Sequence, residues 1–372
     1  MSALPMSALP ISAPARDRYA YIDSIRGLAA LFVVLEHGLS MIKAAPRDAG
    51  AQFFGAAQPW FGYGKFGVAL FFIVSGFVVP FSLSGPRGEG LRRFGISRFF
   101  RLYPAYWLSL LIALPLAPAL LGFAPTPVQV AINASMLQQF FGVANVIPVY
   151  WTLQIEMIFY VLCAALFFFG HLEKPWTVFC AGLGALAAAL ALAAARYWLD
   201  KKLPVAVPLA LVLMFFGLLF RRGLLMGEVL SRRLAGALAL AFFVAMPAIA
   251  LLAYNKDFGF DERWNVYLAS YYVAFLAFFV LATRARLDAP FFAWIGRISY
   301  SIYLFHPLVI IALREPLAAL GLNWSVTFAI MVVAILAFCD IVYRVVEAPA
   351  VSFAHRWTKR ARPAIATEGA PA

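Results

Sequence analysis

Long apolar segments separated by short polar connections recur along nearly the whole 372-residue chain. A run of about 18 or more apolar residues is long enough to cross a lipid bilayer as an α-helix. Ten segments fit this description: residues 24–42, 64–83, 102–122, 150–170, 175–195, 203–220, 234–254, 264–283, 294–313 and 323–343. The pattern predicts an all-α, polytopic membrane protein with about ten transmembrane helices.

The composition of the chain supports a membrane location and also indicates an orientation. Hydrophobic residues make up 64% of the chain and charged residues only 13%, whereas a soluble domain is about half apolar. If the N-terminus is cytoplasmic, most of the 30 lysines and arginines fall in cytoplasmic segments, as the positive-inside rule requires. We therefore expect both termini to be cytoplasmic. This topology and anionic lipids explain the net charge of +13, so no nucleic-acid partner is predicted.

Nothing along the chain indicates a second folded domain. Residues 1–18 begin with a repeated MSALP sequence and are expected to form a disordered N-terminal tail. Residues 19–357 form the predicted membrane domain, and residues 358–372 form a short basic cytoplasmic tail. The three cysteines lie within predicted spans without the paired spacing of a metal site or a disulfide, so we expect no metal ion.

Two ionisable residues, Arg26 and His37, lie in the first apolar segment. Eleven residues at about 100° each return a helix to within about 20° of its starting direction, so both side chains share one stripe. They are separated by roughly 16 Å along the helix axis. Ionisable residues inside a membrane span are costly and commonly functional, although an arginine near a helix end can also extend to the interface. We take the pair as candidate functional residues.

A second group of basic residues precedes the third apolar segment. Arg98 and Arg101 are three residues apart at a predicted helix start and therefore share a face, with Arg93 just upstream. Planar guanidinium groups bind phosphate through paired hydrogen bonds. This segment is a candidate phosphate-binding site, and the alternative is anchoring by cytoplasmic positive charge alone.

The connection between the third and fourth apolar segments is unusual because it carries no charge. No charged residue occurs from Leu102 to Ile155, although residues 123–149 must connect two spans. Such an apolar connection is unlike a flexible polar loop. We expect an amphipathic or re-entrant segment at the outer surface that covers a site, and the alternative is a helix that lies on the lipid.

Six segments together resemble the membrane-bound acyltransferase 3 family and occur in the order of that family's signatures. They are IDSIRGLAALFVVLEHG, GVALFFIVSGFVV, RFFRLYPAYW, YWTLQIEMIFYV, GRISYSIYLFHPLVI and VVEAPAVSF. The resemblance implies ten helices and transfer of an acyl group, usually acetyl from cytoplasmic acetyl-CoA, to a hydroxyl of a glycan or similar acceptor. One departure is Ala69, where many relatives have an acidic residue.

The same resemblance implies roles for the basic residues. The family's Arg-x10-His motif falls on Arg26 and His37, and its Arg-x-x-Arg motif, associated with the CoA phosphates, falls on Arg98 and Arg101. The donor substrate implied is acetyl-CoA or another acyl-CoA.

Acyl transfer to an alcohol needs a general base, because the hydroxyl proton must leave as the carbonyl is attacked. The imidazole of His37 is our candidate, and both direct transfer and a ping-pong route through an acylated residue are open. Glu156 is the favoured group to orient this imidazole because it lies in the same half of the membrane. The adjacent Glu36 points about 100° away from His37. Arg26 would stabilise developing charge or line the donor channel.

His306 is the rival base, close to the middle of the ninth predicted span. The proline that follows it removes a backbone hydrogen bond, so His306 could instead donate to a freed carbonyl and pack against Tyr303. Trp151 is either an interface anchor or part of the acceptor site, for which Tyr303 and His306 are further candidates. Glu347, just beyond the last span, is expected to pair with an inner arginine.

Two other functions fit the same features. Buried arginine, histidine and glutamate would suit a proton-coupled transporter, although the sequence shows no inverted repeat. An acyltransferase could also modify a small cytoplasmic metabolite such as a macrolide. The predicted partners are therefore acyl-CoA, a glycan or lipid-linked saccharide, and membrane lipids.

Overall fold

A computed structural model of the protein describes residues 20–42, 45–259 and 262–360. Within these ranges all regular structure is helical. The α-helices are α1 (Ala20–Met41), α2 (Ala49–Ala57), α3 (Tyr63–Val78), α4 (Arg87–Leu121), α5 (Pro127–Ala134), α6 (Trp151–Phe168), α7 (Pro175–Leu199), α8 (Ala206–Leu225), α9 (Val229–Ala253), α10 (Trp264–Thr283), α11 (Pro290–Ala318), α12 (Trp324–Val342) and α13 (Ala348–Arg360). The predicted tail 1–18, and the predicted tail 358–372 beyond residue 360, lie outside the described residues.

The predicted membrane spans are largely confirmed. Nine helices of the described part are long and apolar enough to cross a membrane, and they correspond to nine of the ten predicted segments. The remaining segment forms α1, which has 22 residues and is about 33 Å long. α1 carries Asp23, Arg26 and Glu36 and is not among the nine. We propose it as the tenth span, and the multi-pass, all-helical architecture is established without it.

α1 lies at the centre of the bundle, where it packs against α3 and α11. Glycines allow the close approach of these helices. A Cβ added to Gly27 would lie 2.7 Å from the backbone nitrogen of Gly296, and one added to Gly67 would lie 2.5 Å from the carbonyl oxygen of Ala29. Small residues at such crossings let helix backbones pack closely in a membrane. The ionisable residues of α1 are therefore surrounded by protein on at least two sides.

Two helices are longer than the sequence pattern predicted. α4 begins at Arg87, so the arginine-rich segment and the span predicted at 102–122 form one continuous helix. α12 continues through a π-helical turn, Tyr343–Glu347, directly into the amphipathic α13, which packs on α4. Single π turns within α-helices are frequent at functional sites. This one turns Glu347 into the protein, where it is buried.

The uncharged connection 123–149 folds back along α4. It contains α5 and two short 3₁₀ helices, Gln138–Phe141 and Pro148–Tyr150. The Tyr106 hydroxyl donates to the Asn133 carbonyl at 2.7 Å, and the Trp107 indole donates to the Ala134 carbonyl at 2.9 Å. These bonds lie some fourteen residues, about 21 Å, before the end of α4. A fold-back of this kind is the arrangement expected of a re-entrant segment.

Candidate active site

Two histidines from the first and eleventh helices lie side by side inside the bundle. The ring centroids of His37 and His306 are 5.0 Å apart, with the planes inclined at 46°. His37 is partly buried, whereas His306 is fully buried. The contact follows from the packing of α1 on α11, because Gly27 and Gly296 also touch and each lies ten residues before its histidine. The two helices therefore run parallel and in register.

The hydrogen bond of His306 determines which of its nitrogens carries the proton. Its Nδ1 lies 2.9 Å from the carbonyl oxygen of Ile302. A carbonyl oxygen only accepts hydrogen bonds, so Nδ1 is the donor and, in the neutral ring, Nε2 holds the lone pair. Nε2 is buried and has no hydrogen-bond partner among the described residues. His306 thus presents an unpaired acceptor inside the bundle.

A polar cavity lies between α1, α3, α6 and α11, and its lining residue Tyr303 is one helical turn before His306. Its volume is ≈ 40 Å³, which is room for a few water molecules, since one needs about 10–15 Å³. The polar residues that line it are Arg26, Ser75, Thr152, Glu156, Tyr300 and Tyr303. The cavity therefore brings together Arg26, Glu156 and Tyr303 from three of the predicted segments.

Tyr303 connects the cavity to the histidine pair. Its ring lies 6.2 Å from the ring of His306. Its hydroxyl donates to the Val149 carbonyl at 2.9 Å and accepts from the Thr152 hydroxyl at 2.6 Å. Trp151 is half-buried and packs edge-on against Phe72, a residue that lines the cavity, without lining it itself.

Glu156 is hydrogen-bonded to residues other than His37, which was the partner expected from its position in the membrane. Its Oε1 accepts a hydrogen bond from the Tyr160 hydroxyl at 2.7 Å and one from Ser75 at 3.3 Å. Within the described part of the chain no hydrogen bond joins Glu156 to His37. The ionisable group next to His37 is instead His306.

Glu36 is engaged at the start of α3. Its Oε2 accepts from the backbone N–H of Gly64 at 3.3 Å. The first N–H groups of a helix have no partner within the helix, and a carboxylate there is also favoured by the helix dipole. Glu36 therefore stabilises the contact between α1 and α3.

The three predicted phosphate-binding arginines on α4 all have partners within the protein. Arg98 donates to the Ser82 hydroxyl at 3.1 Å, and its guanidinium lies over the Tyr160 ring. Arg101 forms an ion pair and hydrogen bond with the buried carboxylate of Glu347, as expected for that glutamate.

Arg93 lies further from the cavity than these two arginines along α4. It donates to the Ser84 carbonyl at 2.8 Å and lies 3.6 Å from the Glu89 carboxylate.

Aromatic hydroxyls join these arginines to the cavity. Arg98 contacts Tyr160, which donates to Glu156 in the cavity wall. Arg101 lies 5.9 Å from the ring of Tyr300, which also lines the cavity. A continuous line of polar side chains therefore runs from α4 to the cavity, and Tyr303 extends it to the histidines.

Four residues of this line were not predicted as site residues: Ser75, Thr152, Tyr160 and Tyr300. A usable signal for two of them was present in the sequence, because Thr152, Glu156 and Tyr160 follow one another at intervals of four on α6. Residues four apart share a helix face. Within the described ranges, no group of three or more histidine, cysteine or acidic residues is placed to hold a metal ion.

Comparison with known proteins gives one family and two relatives. The family model described as an acyltransferase domain, of the acyltransferase 3 family, matches residues 19–344. "Exopolysaccharide production protein ExoZ" of Rhizobium meliloti (strain 1021) is 28% identical over 282 residues, which cover 72% of this chain and 83% of the relative. "Protein 2 in picA locus" of Rhizobium radiobacter is 38% identical over 97 residues, 25% of this chain and 43% of that protein. No solved structure matches.

Proposed function

Because the chain belongs to the acyltransferase 3 family, we propose that it transfers an acetyl group from cytoplasmic acetyl-CoA to a hydroxyl of a saccharide at the bacterial inner membrane. The observation that carries this proposal is the pair of imidazoles, His37 and His306, at the end of a polar line that begins at arginines. Transfer from the thioester of acyl-CoA to an alcohol requires a base next to the alcohol and cationic groups that bind the phosphates of CoA. The two ends of this polar line supply them.

The reaction proceeds by direct attack of the acceptor hydroxyl. An unprotonated nitrogen of His37 takes the hydroxyl proton while the oxygen forms a bond to the thioester carbonyl carbon. The carbon–sulfur bond then breaks, and the thiolate of CoA takes the proton held by His37 and leaves as the thiol, which restores the neutral imidazole. Arg26 lines the cavity and contacts the donor arm there, because it lies roughly 16 Å along α1 from the base and so does not reach the reacting carbonyl.

The arginines of α4 hold the donor. A CoA nucleotide carries several negative charges and cannot enter hydrocarbon, so its phosphates stay at Arg98 and Arg101, with Arg93 nearby. Arg98 is only partly buried, so its side chain is accessible to a phosphate from the cytoplasmic side. The cavity accommodates only a few waters, so the thioester arm enters by displacing side chains that line it.

A saccharide acceptor is supported by the relative from Rhizobium meliloti, whose name refers to exopolysaccharide production. A saccharide carries hydroxyl groups of the kind that an imidazole base activates. Trp151, half-buried beside the cavity wall, contributes an aromatic face to which a sugar ring packs. The acceptor therefore approaches from the end of the bundle at which α6 begins.

The orientation of the protein in the membrane follows from the distribution of its lysines and arginines. Most lysines and arginines fall in segments that are cytoplasmic if the N-terminus is cytoplasmic. With this orientation the arginines of α4 face the compartment that contains acetyl-CoA, and His37 lies nearer the opposite face. Both termini are then cytoplasmic.

The proposal is tested with the purified protein in detergent or nanodiscs, supplied with acetyl-CoA and a polysaccharide fraction from the producing cell. We expect release of free CoA that depends on the acceptor, and transfer of labelled acetyl into the polysaccharide. A transporter would release no CoA. Release supported by small metabolites but not by saccharide would reject the saccharide acceptor while retaining the acyltransferase activity.

A further inference from the structure

The ring of His306 is held from one side only. Nδ1 donates to the Ile302 carbonyl on the same helix, and Nε2, at the opposite edge of the ring, is buried without a hydrogen-bond partner among the described residues. Buried polar atoms are nearly always hydrogen-bonded, so an unpaired one calls for an explanation. The lone pair of Nε2 requires a donor rather than an acceptor.

The neighbouring imidazole of His37 is able to supply that donor. Ring nitrogens lie at the ring edge, so two facing nitrogens are within hydrogen-bond reach when the ring centroids are 5.0 Å apart. The ring planes are inclined at 46°, so such a hydrogen bond requires reorientation of the His37 ring. Catalytic hydrogen bonds are often long in the absence of substrate and shorten when it binds.

The packing keeps the two rings at the same level. α1 and α11 run parallel, with the Gly27 and Gly296 contact ten residues before the histidine contact on both helices. An added Cβ at Gly296 would lie 2.2 Å from the Asp23 carbonyl oxygen, so the backbones are as close as they can be. These glycine contacts therefore set the spacing of the two helix backbones that carry the histidines.

We propose that His306 is the positioning residue for the catalytic imidazole. Nε2 of His306 accepts a hydrogen bond from one ring N–H of His37, which leaves the lone pair on the other nitrogen of His37 facing the acceptor hydroxyl. When His37 takes the hydroxyl proton, both of its nitrogens carry hydrogen, and Nε2 of His306 continues to accept from the cation. This inference rests on the proposed function, because it names the group that orients the base.

A purely structural role for His306 makes a different prediction. In that case only the bond from Nδ1 to the Ile302 carbonyl matters, and it holds the helix next to Pro307, which lacks an N–H. Two substitutions separate the roles. His306→Asn retains an amide N–H at the place of Nδ1 but has no atom at the place of Nε2, whereas His306→Gln places an acceptor oxygen near Nε2.

The test compares His306→Asn and His306→Gln in the assay of acceptor-dependent CoA release, with thermal unfolding as the control for folding. We expect kcat of the asparagine variant to fall at least about tenfold with little change in the KM for acetyl-CoA, and the glutamine variant to retain more activity. The reverse order, or wild-type kcat in both variants, would overturn the positioning role.

A spectroscopic measurement decides the case in which both variants lose activity. The chain has four histidines, so ¹⁵N signals of labelled histidine are assignable with single substitutions. The signals distinguish protonated from unprotonated ring nitrogens. We expect one dominant tautomer for His37 in the wild type and a mixture in the asparagine variant. Unchanged His37 signals would reject the inference, whereas a wild-type protein that releases no CoA would reject the proposed function instead.

Discussion

Arg101 on α4 forms an ion pair with the buried carboxylate of Glu347, 246 positions later in the chain and within the π turn that joins α12 to α13. Ser301 on α11 donates to the other oxygen of the same carboxylate at 2.9 Å. Three helical segments thus meet at one buried negative charge. Since Arg101 is also a proposed phosphate ligand, the donor and Glu347 compete for the same guanidinium.

Removing Arg101 is expected to destabilise the fold, because the Glu347 carboxylate is left buried without its cation. Breaking a buried pair from one side costs about 3–5 kcal/mol, whereas removing both charges costs much less. We expect a large fall in the thermal unfolding midpoint for Arg101→Ala and substantial recovery in the double variant Arg101→Ala with Glu347→Gln. Equal midpoints for the single and double variants would show that the pair contributes little.

The donor site is probed at Arg98, whose side chain lies between Ser82 and Tyr160. Arg98→Ala is expected to raise the KM for acetyl-CoA about 10- to 150-fold, since one charge-assisted hydrogen bond to phosphate is worth about 1.5–3 kcal/mol. Arg92→Ala is the matched control, because Arg92 is exposed on the same helix. An equal effect of the two substitutions would indicate general attraction by positive charge and no specific phosphate site.

Close helix contact at Gly296 is predicted to control the histidine pair from a distance. A Cβ there would collide with the Asp23 carbonyl oxygen, and overpacking of this kind costs about 1–3 kcal/mol. Gly296→Ala should lower the unfolding midpoint and slow transfer, because α1 and α11 move apart. Gly236→Ala is the control, since a Cβ at Gly236 meets nothing within 4 Å. Full activity of Gly296→Ala would show that the register of these helices is unimportant.

Much of this architecture was predictable from the sequence, because a bilayer imposes a length and composition on each span. The apolar segments are local features, so nine of them appear as helices close to the predicted positions. The partner of Glu347 was also predictable, since a carboxylate just past a span meets an inner surface rich in arginine.

The partners of His37 and Glu156 were not predictable in the same way. The sequence gives the depth of a residue only approximately, and it does not give the direction in which the helix faces. Glu156 was expected at the depth of His37, but it lines the cavity with Arg26 and Tyr300, and it accepts hydrogen bonds from Ser75 and Tyr160. The contact between His37 and His306 depends on which helices are neighbours, and small residues far along the chain decide that.

The stability of the fold is expected to depend on pH through Asp48, which lies outside the membrane-spanning helices. Its carboxylate accepts hydrogen bonds from the backbone N–H of Ala51 at the start of α2 and from the backbone N–H and hydroxyl of Ser325 in the first turn of α12, each at 3.0 Å. These hydrogen bonds, of which the one from Ala51 has the largest effect, lower the pKa of Asp48 below its ordinary value.

A lowered pKa in the folded state means that the carboxylate stabilises the fold at neutral pH, and that this contribution is lost as the pH falls through the folded-state pKa. We expect the unfolding midpoint of the wild type to decrease below about pH 4, near the ordinary aspartate pKa. Asp48→Asn should lower the midpoint at pH 7 and reduce the loss on acidification. An unfolding midpoint of Asp48→Asn equal to that of the wild type at every pH would refute this role.

The central claim is that His37 is the base that activates the acceptor hydroxyl. Its most direct test is the rate of acceptor-dependent CoA release by purified His37→Ala relative to the wild type, with membrane insertion and the unfolding midpoint measured on the same samples. The account predicts a rate reduced about 10²- to 10⁴-fold in a protein that is inserted and folded normally. A variant that turns over at the wild-type rate would contradict it.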